Sequence, residues 1–199
     1  MPRQSYKSDL TDEQWRLLEP IIPALKGTGP ATPKYERREI VNALLYMART
    51  GCQWQYIPHD LPHWKTVSDY FYQWRDNGTW DRIVTTMREQ VRRANGRKVT
   101  PSFAILDSQS VKTTEVGGEK GFDAGKKVKG RKRHLLVDIL GMLLVVWVTS
   151  ASVQDRDSVR PMLLEARARF ATLQAIAVDT AYRGDVVDAA AHDLRDPLT

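Results

Sequence analysis

The stretch 102–114, "SFAILDSQSVKTT", opens as a short apolar strand and breaks at a carboxylate. Phe103, Ala104, Ile105 and Leu106 suit a buried strand, and Asp107 follows at its tip with hydroxyls, an amide and Lys112 behind it. The pattern returns in 175–184, "AIAVDTAYRG", where Ala175 to Val178 lead into Asp179. Two apolar strands that each end on an aspartate predict an α/β sheet with acidic residues at its carboxyl edge, where such sheets place ligands. Adjacent carboxylates repel unless a cation neutralises them, and all-oxygen ligation suits Mg²⁺ or Mn²⁺. Paired ions of this kind activate an attacking water or hydroxyl and stabilise the leaving oxygen in phosphoryl transfer. A second reading stands beside this one at the level of residues alone, in which each aspartate opens a turn or caps the next helix.

Around these two strands, composition divides the chain near residue 100. Five of the six tryptophans precede that point, and the β-branched apolar runs follow it. We therefore expect a helical domain over 1–98 and a mixed α/β domain over 99–199. In the first half, "LTDEQWRLLEPIIP" reads as a helix with Thr11 as N-cap, stopped by Pro20 and Pro23. Next comes a Gly/Pro loop, "ALKGTGPATP", and then "KYERREIVNALLYMARTG", a helix with Gly51 as its stop. "TVSDYFYQWRDNG" is a third helix capped at Thr66 or Ser68, and "TWDRIVTTMREQVRRANG" a fourth, capped near Thr79 and closed by Asn95-Gly96. In the second half, "FAILDS", "KRHLLVDIL", "MLLVVWVTSA" and "QAIAVD" read as strands, with a tight hairpin at Leu140-Gly141. "DRDSVRPMLLEARARF" reads as a crossing helix in which Pro161 is tolerable only near the first turn, and "DVVDAAAHDLRD" as a final helix.

The chain's 199 residues, 42% of them apolar, suffice to fill a core. A net charge of +6 favours a polyanionic partner. With one cysteine, Cys52, an internal disulfide is excluded and a reducing compartment is expected. The N-terminal "MPRQSYKSDL" has no apolar signal region, and the apolar run Met142 to Val148 is too short for a bilayer. These features predict a cytoplasmic protein with no membrane association. His59 and His63 flank Pro62 and do not read as a zinc pair, and nothing beside Cys52 activates it as a nucleophile.

Two further stretches bear on a nucleic-acid partner. "AGKKVKGRKRH", 124–134, concentrates Lys126, Lys127, Lys129, Arg131, Lys132 and Arg133 in what reads as a loop leading into a strand. If that strand pairs with the one bearing Asp107, the cations lie beside the carboxylates and can contact phosphates; a solvated charge run is the competing reading. "HWKTVSDYFYQWRDNG" has the pattern of a helix-turn-helix second helix, with Lys65, Thr66, Ser68 and Asp69 at its start and Gln73 and Arg75 outward. Val67, Tyr70, Phe71 and Trp74 recur at helical spacing and read as core rather than as base-stacking residues.

At these residues the chain resembles bacterial insertion-sequence transposases of the DDE type, specifically insertion sequence family five. The blocks that carry the resemblance are "LTDEQWRLLEPIIP", "RREIVNALLYMARTGCQWQYIPHDLPHWKTVSDYFYQWRDNGTWDRI", "ILDSQSVKTTE", "GFDAGKKVKGRKRHLLVDILG" and "VDTAYRG", in the family's order. The resemblance implies an RNase H-like mixed sheet with flanking helices behind an all-helical DNA-binding domain. It makes Asp107 and Asp179 the first and second catalytic, metal-binding aspartates, with Mg²⁺ or Mn²⁺ as cofactor, and sets Tyr182, Arg183 and Gly184 in the family's block after Asp179. It also implies double-stranded DNA as partner, both the element's terminal inverted repeats and target DNA, and a homodimer that pairs two ends. The family's third carboxylate is a glutamate on a later helix, and no glutamate follows Asp179 here. The expectation is therefore a C-terminally incomplete catalytic domain, truncated before that residue, completed by a downstream frame or else a relic. Such a chain binds DNA at element ends, acting as a regulator if it does not cut. An incomplete sheet is also expected to leave apolar surface on the last strand uncovered and the second half marginal or aggregation-prone.

Overall fold

The computed structural model describes residues 3–24, 34–113 and 119–178. The chain divides into two compact units, Met1–Met87 and Arg88–Thr199.

In the first unit every element among the described residues is helical. Helix α1 (Asp12–Leu18) starts at Thr11, whose hydroxyl accepts from the Gln14 amide while Gln14 accepts from the Thr11 amide, a reciprocal capping box. Helix α2 (Arg37–Thr50) ends at Gly51, whose φ of 69° suits the left-handed cap that an L side chain resists. A 3₁₀ turn (Trp54–Tyr56) leads to α3 (Trp64–Asp76), and α4 spans Thr79–Ala94 across the border of the units. The α3 helix begins at Trp64, earlier than the Thr66 or Ser68 cap expected from sequence, because the His63 ring Nδ1 accepts from the Lys65 amide and serves as the cap. Ile40, Val41, Leu44, Ile57, Leu61, Val67 and Trp74 form the core, with Tyr70 and Phe71 packed against it as their spacing predicted. Asn42 is buried but satisfied, accepting from the Leu10 amide and donating to Glu39.

Among its described residues the second unit is a five-stranded mixed sheet with a helix on one face, consistent with an RNase H-like core. Strand β1 (Phe103–Lys112) lies between β3 (Val128–Asp138), antiparallel to it, and β5 (Ala175–Val178), parallel to it. On the far edge of β3 lie a short β2 (Gly121–Asp123) and β4 (Leu143–Ser150), both antiparallel. Helix α5 (Asp155–Arg169) makes the crossover, and its Val159, Met162, Leu163 and Ala166 bury Ala104, Leu106, Leu136 and Val145. Pro161 sits in the second turn of α5, not the first as expected, so the carbonyl one turn earlier loses its helical donor. Packing of that apolar stripe on the sheet outweighs the missing bond.

The β3–β4 hairpin turns at Gly141, with φ of 75°. Asp138 organises it, one carboxylate oxygen accepting from the Leu140 and Met142 amides while the other takes a charge-assisted bond from buried Arg92 on α4. Arg92 also donates to the carbonyls of Lys98 and Thr100, which fixes the chain entering β1.

Two expectations about the strands are corrected. Asp107 is not at a strand tip, because β1 continues through the polar Ser108, Gln109 and Ser110 to Lys112, held by the antiparallel ladder from Asp107↔Leu135 to Lys112↔Gly130. The stretch 124–134 is not a loop, because β2 pairs with the start of β3 and leaves only the turn between Asp123 and Val128.

Candidate nucleic-acid interface

Strand alternation sorts the sheet's side chains onto two faces. Even-numbered residues at the start of β1 are buried under α5, while Phe103, Ile105, Asp107 and Gln109 on the other face are exposed. The registers extend this open face across the sheet. Asp107 pairs with Leu135 and Leu135 with Val146; Gln109 pairs with Arg133 and Arg133 with Val148; Val111 pairs with Arg131 and Arg131 with Ser150. Asp107 is thus the one carboxylate among the described residues of this face, with Arg133 at the diagonal position and Arg131 one row on. The Ser108 amide donates to Asp107 Oδ1 at 2.7 Å.

The turn between β2 and β3 brings more cations to the same end of the sheet. Lys126 Nζ donates to the carbonyl and hydroxyl of Ser108, at 2.9 and 3.3 Å, which fastens this lysine to β1 one residue past Asp107, on the α5 side of the strand. Lys127 occupies a left-handed backbone position, φ 52°. Lys112, Lys120, Lys127 and Lys129 line a concave recess with Thr113 and Phe122.

One member of the basic run is spent internally. Lys132 points to the α5 side, buried, with Nζ 3.4 Å from Asp123 and 3.0 Å from Asp155, and donates to the Val153 carbonyl. It is a structural cation, not a phosphate contact. Asp123 is held well below the usual carboxylate range, at about 2, chiefly by the Ser110 hydroxyl, then by the Lys126 amide, with the Lys132 charge adding to both. Next to this cluster His134 is buried between the Ser158 and Thr149 hydroxyls, and burial pushes its pKa down.

The predicted residues of α3 divide similarly. Lys65 and Arg75 are exposed and Thr66 half-buried, with Arg75 paired to Asp76 at 2.7 Å and set over the Tyr72 ring. Ser68 is buried and its hydroxyl donates to the Lys65 carbonyl, which removes it from any base-reading surface. Residues 51–63 connect α2 to α3, far longer than the tight turn of a helix-turn-helix. Asp179, Tyr182 and Arg183 lie outside the described residues, as does the expected final helix over 185–196. Among the described residues no group of three or more His, Cys, Asp or Glu is placed to hold a metal ion, and no helix is long and apolar enough to cross a membrane.

Sequence reasoning missed Gln109 and Phe122, which share the exposed surface with the cations. A period-two count onward from Asp107 would have found Gln109. Phe122 gave no signal, because a three-residue strand is too short for a pattern.

Residues 10–84 match the family model described as "Putative transposase of IS4/5 family", and residues 98–198 match "Transposase DDE domain", about half the chain. The chain is 26% identical over 124 residues to "Insertion element IS402 uncharacterized 16.2 kDa protein" of Burkholderia cepacia, an alignment spanning 58% of this chain and 80% of that protein. It is 30% identical over 82 residues to "Uncharacterized protein y4sN" of Sinorhizobium fredii (strain NBRC 101917 / NGR234), covering 41% of this chain and 64% of that protein. No solved structure matches.

Proposed function

The chain belongs to the transposase DDE domain family, and on that premise we propose that it acts as a DNA-binding protein of an insertion element, occupying the element's ends. The observation that carries this reading is the cation array at the β2–β3 end of the sheet, with Arg131 and Arg133 on its open face. Lys112, Lys126, Lys127, Lys129, Arg131 and Arg133 reach solvent at one end of the sheet, while the face itself bears one described carboxylate. Phosphates of a duplex satisfy such an array, and counterion release makes the binding salt-dependent. Lys65, Thr66 and Arg75 on α3 supply a second surface toward the terminal repeats, and two bound ends would call for a homodimer. The helical domain is taken as 1–98 and the sheet domain as 99–199.

A second reading, metal-dependent phosphodiester hydrolysis and strand transfer into target DNA, is favoured by one register. In the parallel pair, Leu106 lies opposite Val178, and the sequence continues to Asp107 and to Asp179. Asp107 is a hard oxygen donor of the kind Mg²⁺ or Mn²⁺ prefers, and with Asp179 it would hold the ion. When bound, that ion would supply Lewis-acid stabilisation and a more acidic water. In this reading Arg133 steadies a phosphate beside Asp107, and Tyr182 and Arg183 contact the strand being cut.

The test uses the full chain, a duplex bearing its own element's end, and a shuffled duplex. Fluorescence anisotropy should show the end bound tighter by a factor on the order of 10³, with no nicking in Mn²⁺. Equal affinity for both duplexes would sink the end-binding reading. Nicking that disappears in Asp107→Asn would establish the second reading instead.

A further inference from the structure

The recess on the β2–β3 hairpin carries a feature that duplex binding leaves unused. Phe122 is 55% exposed, and its cross-strand partner is Lys129, not an apolar side chain. Its neighbours around the recess are Lys112, Lys120, Lys127 and Lys129, with Thr113. The recess measures about 450 Å³, within the range of small-ligand clefts.

An aromatic ring left in water among cations adds nothing to a core. The mount beneath it is stiff. A Cβ at Gly130 would meet the Val111 carbonyl oxygen at 2.0 Å, and one at Gly121 would meet the Ser150 hydroxyl at 2.2 Å, so β2 and β3 are pressed against their neighbours. Adjacent Asp123 is locked by Ser110, Lys126 and Lys132. Among the described residues the recess is lined by cations and no carboxylate, a lining that selects an anion, and a fixed ring beside them offers a face to a flat, apolar one. Both properties meet in a nucleotide whose base is out of the double helix, because a paired base hides its faces in the stack.

We propose that this recess holds an unpaired base of a DNA strand, with Phe122 as its stacking platform and Lys112, Lys127 and Lys129 on the flanking phosphates. The inference rests on the DNA-binding reading above and adds single-stranded or extruded DNA to its ligands.

The experiment compares the full chain with Phe122→Ala and Phe122→Trp on two fluorescein-labelled probes, an oligo-dT of about 20 nucleotides and a random duplex of about the same length. One stacked base predicts that Phe122→Ala weakens oligo-dT binding by about 5- to 150-fold. Duplex affinity should change by less than about twofold, and Phe122→Trp should restore oligo-dT binding. Lys127→Gln should weaken both probes and reduce the salt slope on oligo-dT by about 0.7. Unchanged oligo-dT affinity in Phe122→Ala, an equal loss on both probes, or a Trp variant as weak as Ala would overturn the inference. A wild-type chain that binds duplex but not oligo-dT overturns it while leaving end binding intact; a chain that binds neither overturns both.

Discussion

Lys132 and Arg133 are neighbours in one basic run, and replacing each should have opposite consequences. Lys132 lies on the covered face, 4% exposed, shared between Asp123 at 3.4 Å and Asp155 at 3.0 Å. Lys132→Met removes the cation and leaves two largely buried carboxylates facing each other across its place. Breaking a buried pair from one side costs about 3–5 kcal/mol. At roughly 4–8 °C per kcal/mol for a unit of this size, the midpoint should fall by more than about 12 °C. Arg133 lies on the open face and makes no ion pair among the described residues, so Arg133→Gln should stay within about 0.5 kcal/mol of wild type. Its effect should appear in DNA binding instead, where losing one phosphate contact lowers the slope of log K against log salt by about 0.9. The assays are thermal unfolding followed by circular dichroism, and duplex anisotropy titrations at several salt concentrations. A stable Lys132→Met that loses DNA affinity, or a destabilised Arg133→Gln with an unchanged salt slope, would refute the assignment of faces.

Two other outcomes follow from the same unit. Burial lowers the pKa of His134 in the folded protein, so below the ordinary histidine value of about 6.5 the unfolded chain binds the extra proton more readily. Stability should therefore be level above that pH and fall as the pH drops through it, and His134→Gln should flatten this part of a urea-unfolding pH series; a wild-type midpoint constant between about pH 7 and 5 would contradict it. Gly130→Ala drives a methyl group into the Val111 carbonyl, and overpacking of this kind costs about 1–3 kcal/mol, read as a lowered urea midpoint at unchanged slope.

Much of the fold was legible because its elements carry local signals. Thr11, Gly51, and the Val67–Trp74 spacing each specify a helix feature by local chemistry, and each appears where expected. What was illegible depends on partners distant in sequence. The mostly polar residues 108–112 look like a loop until β3 pairs with them. Lys132 cannot be told from Arg133 until strand alternation assigns faces and Asp155 arrives from α5. Ser68 resembles an exposed cap residue, yet α3 starts at Trp64 and turns it inward. For the candidate site, the cations and Asp107 were readable as residues, while the placing of Arg131 and Arg133 on one face with Asp107 required the β1–β3–β4 register. The large apolar side chains that the open face leaves exposed, Phe103, Ile105, Val146 and Val148, lie on β1 and β4, whereas uncovered apolar surface was expected on the last strand.

The account's central claim is that the sheet face bearing Asp107 meets DNA while the α5 side does not. Photocrosslinking measures this directly, with p-benzoylphenylalanine placed at Gln109 on the open face or at Leu164, exposed on α5. On an element-end duplex, the position-109 protein should give a covalent DNA adduct and the position-164 protein none. Adducts from 164 without any from 109 would contradict the account.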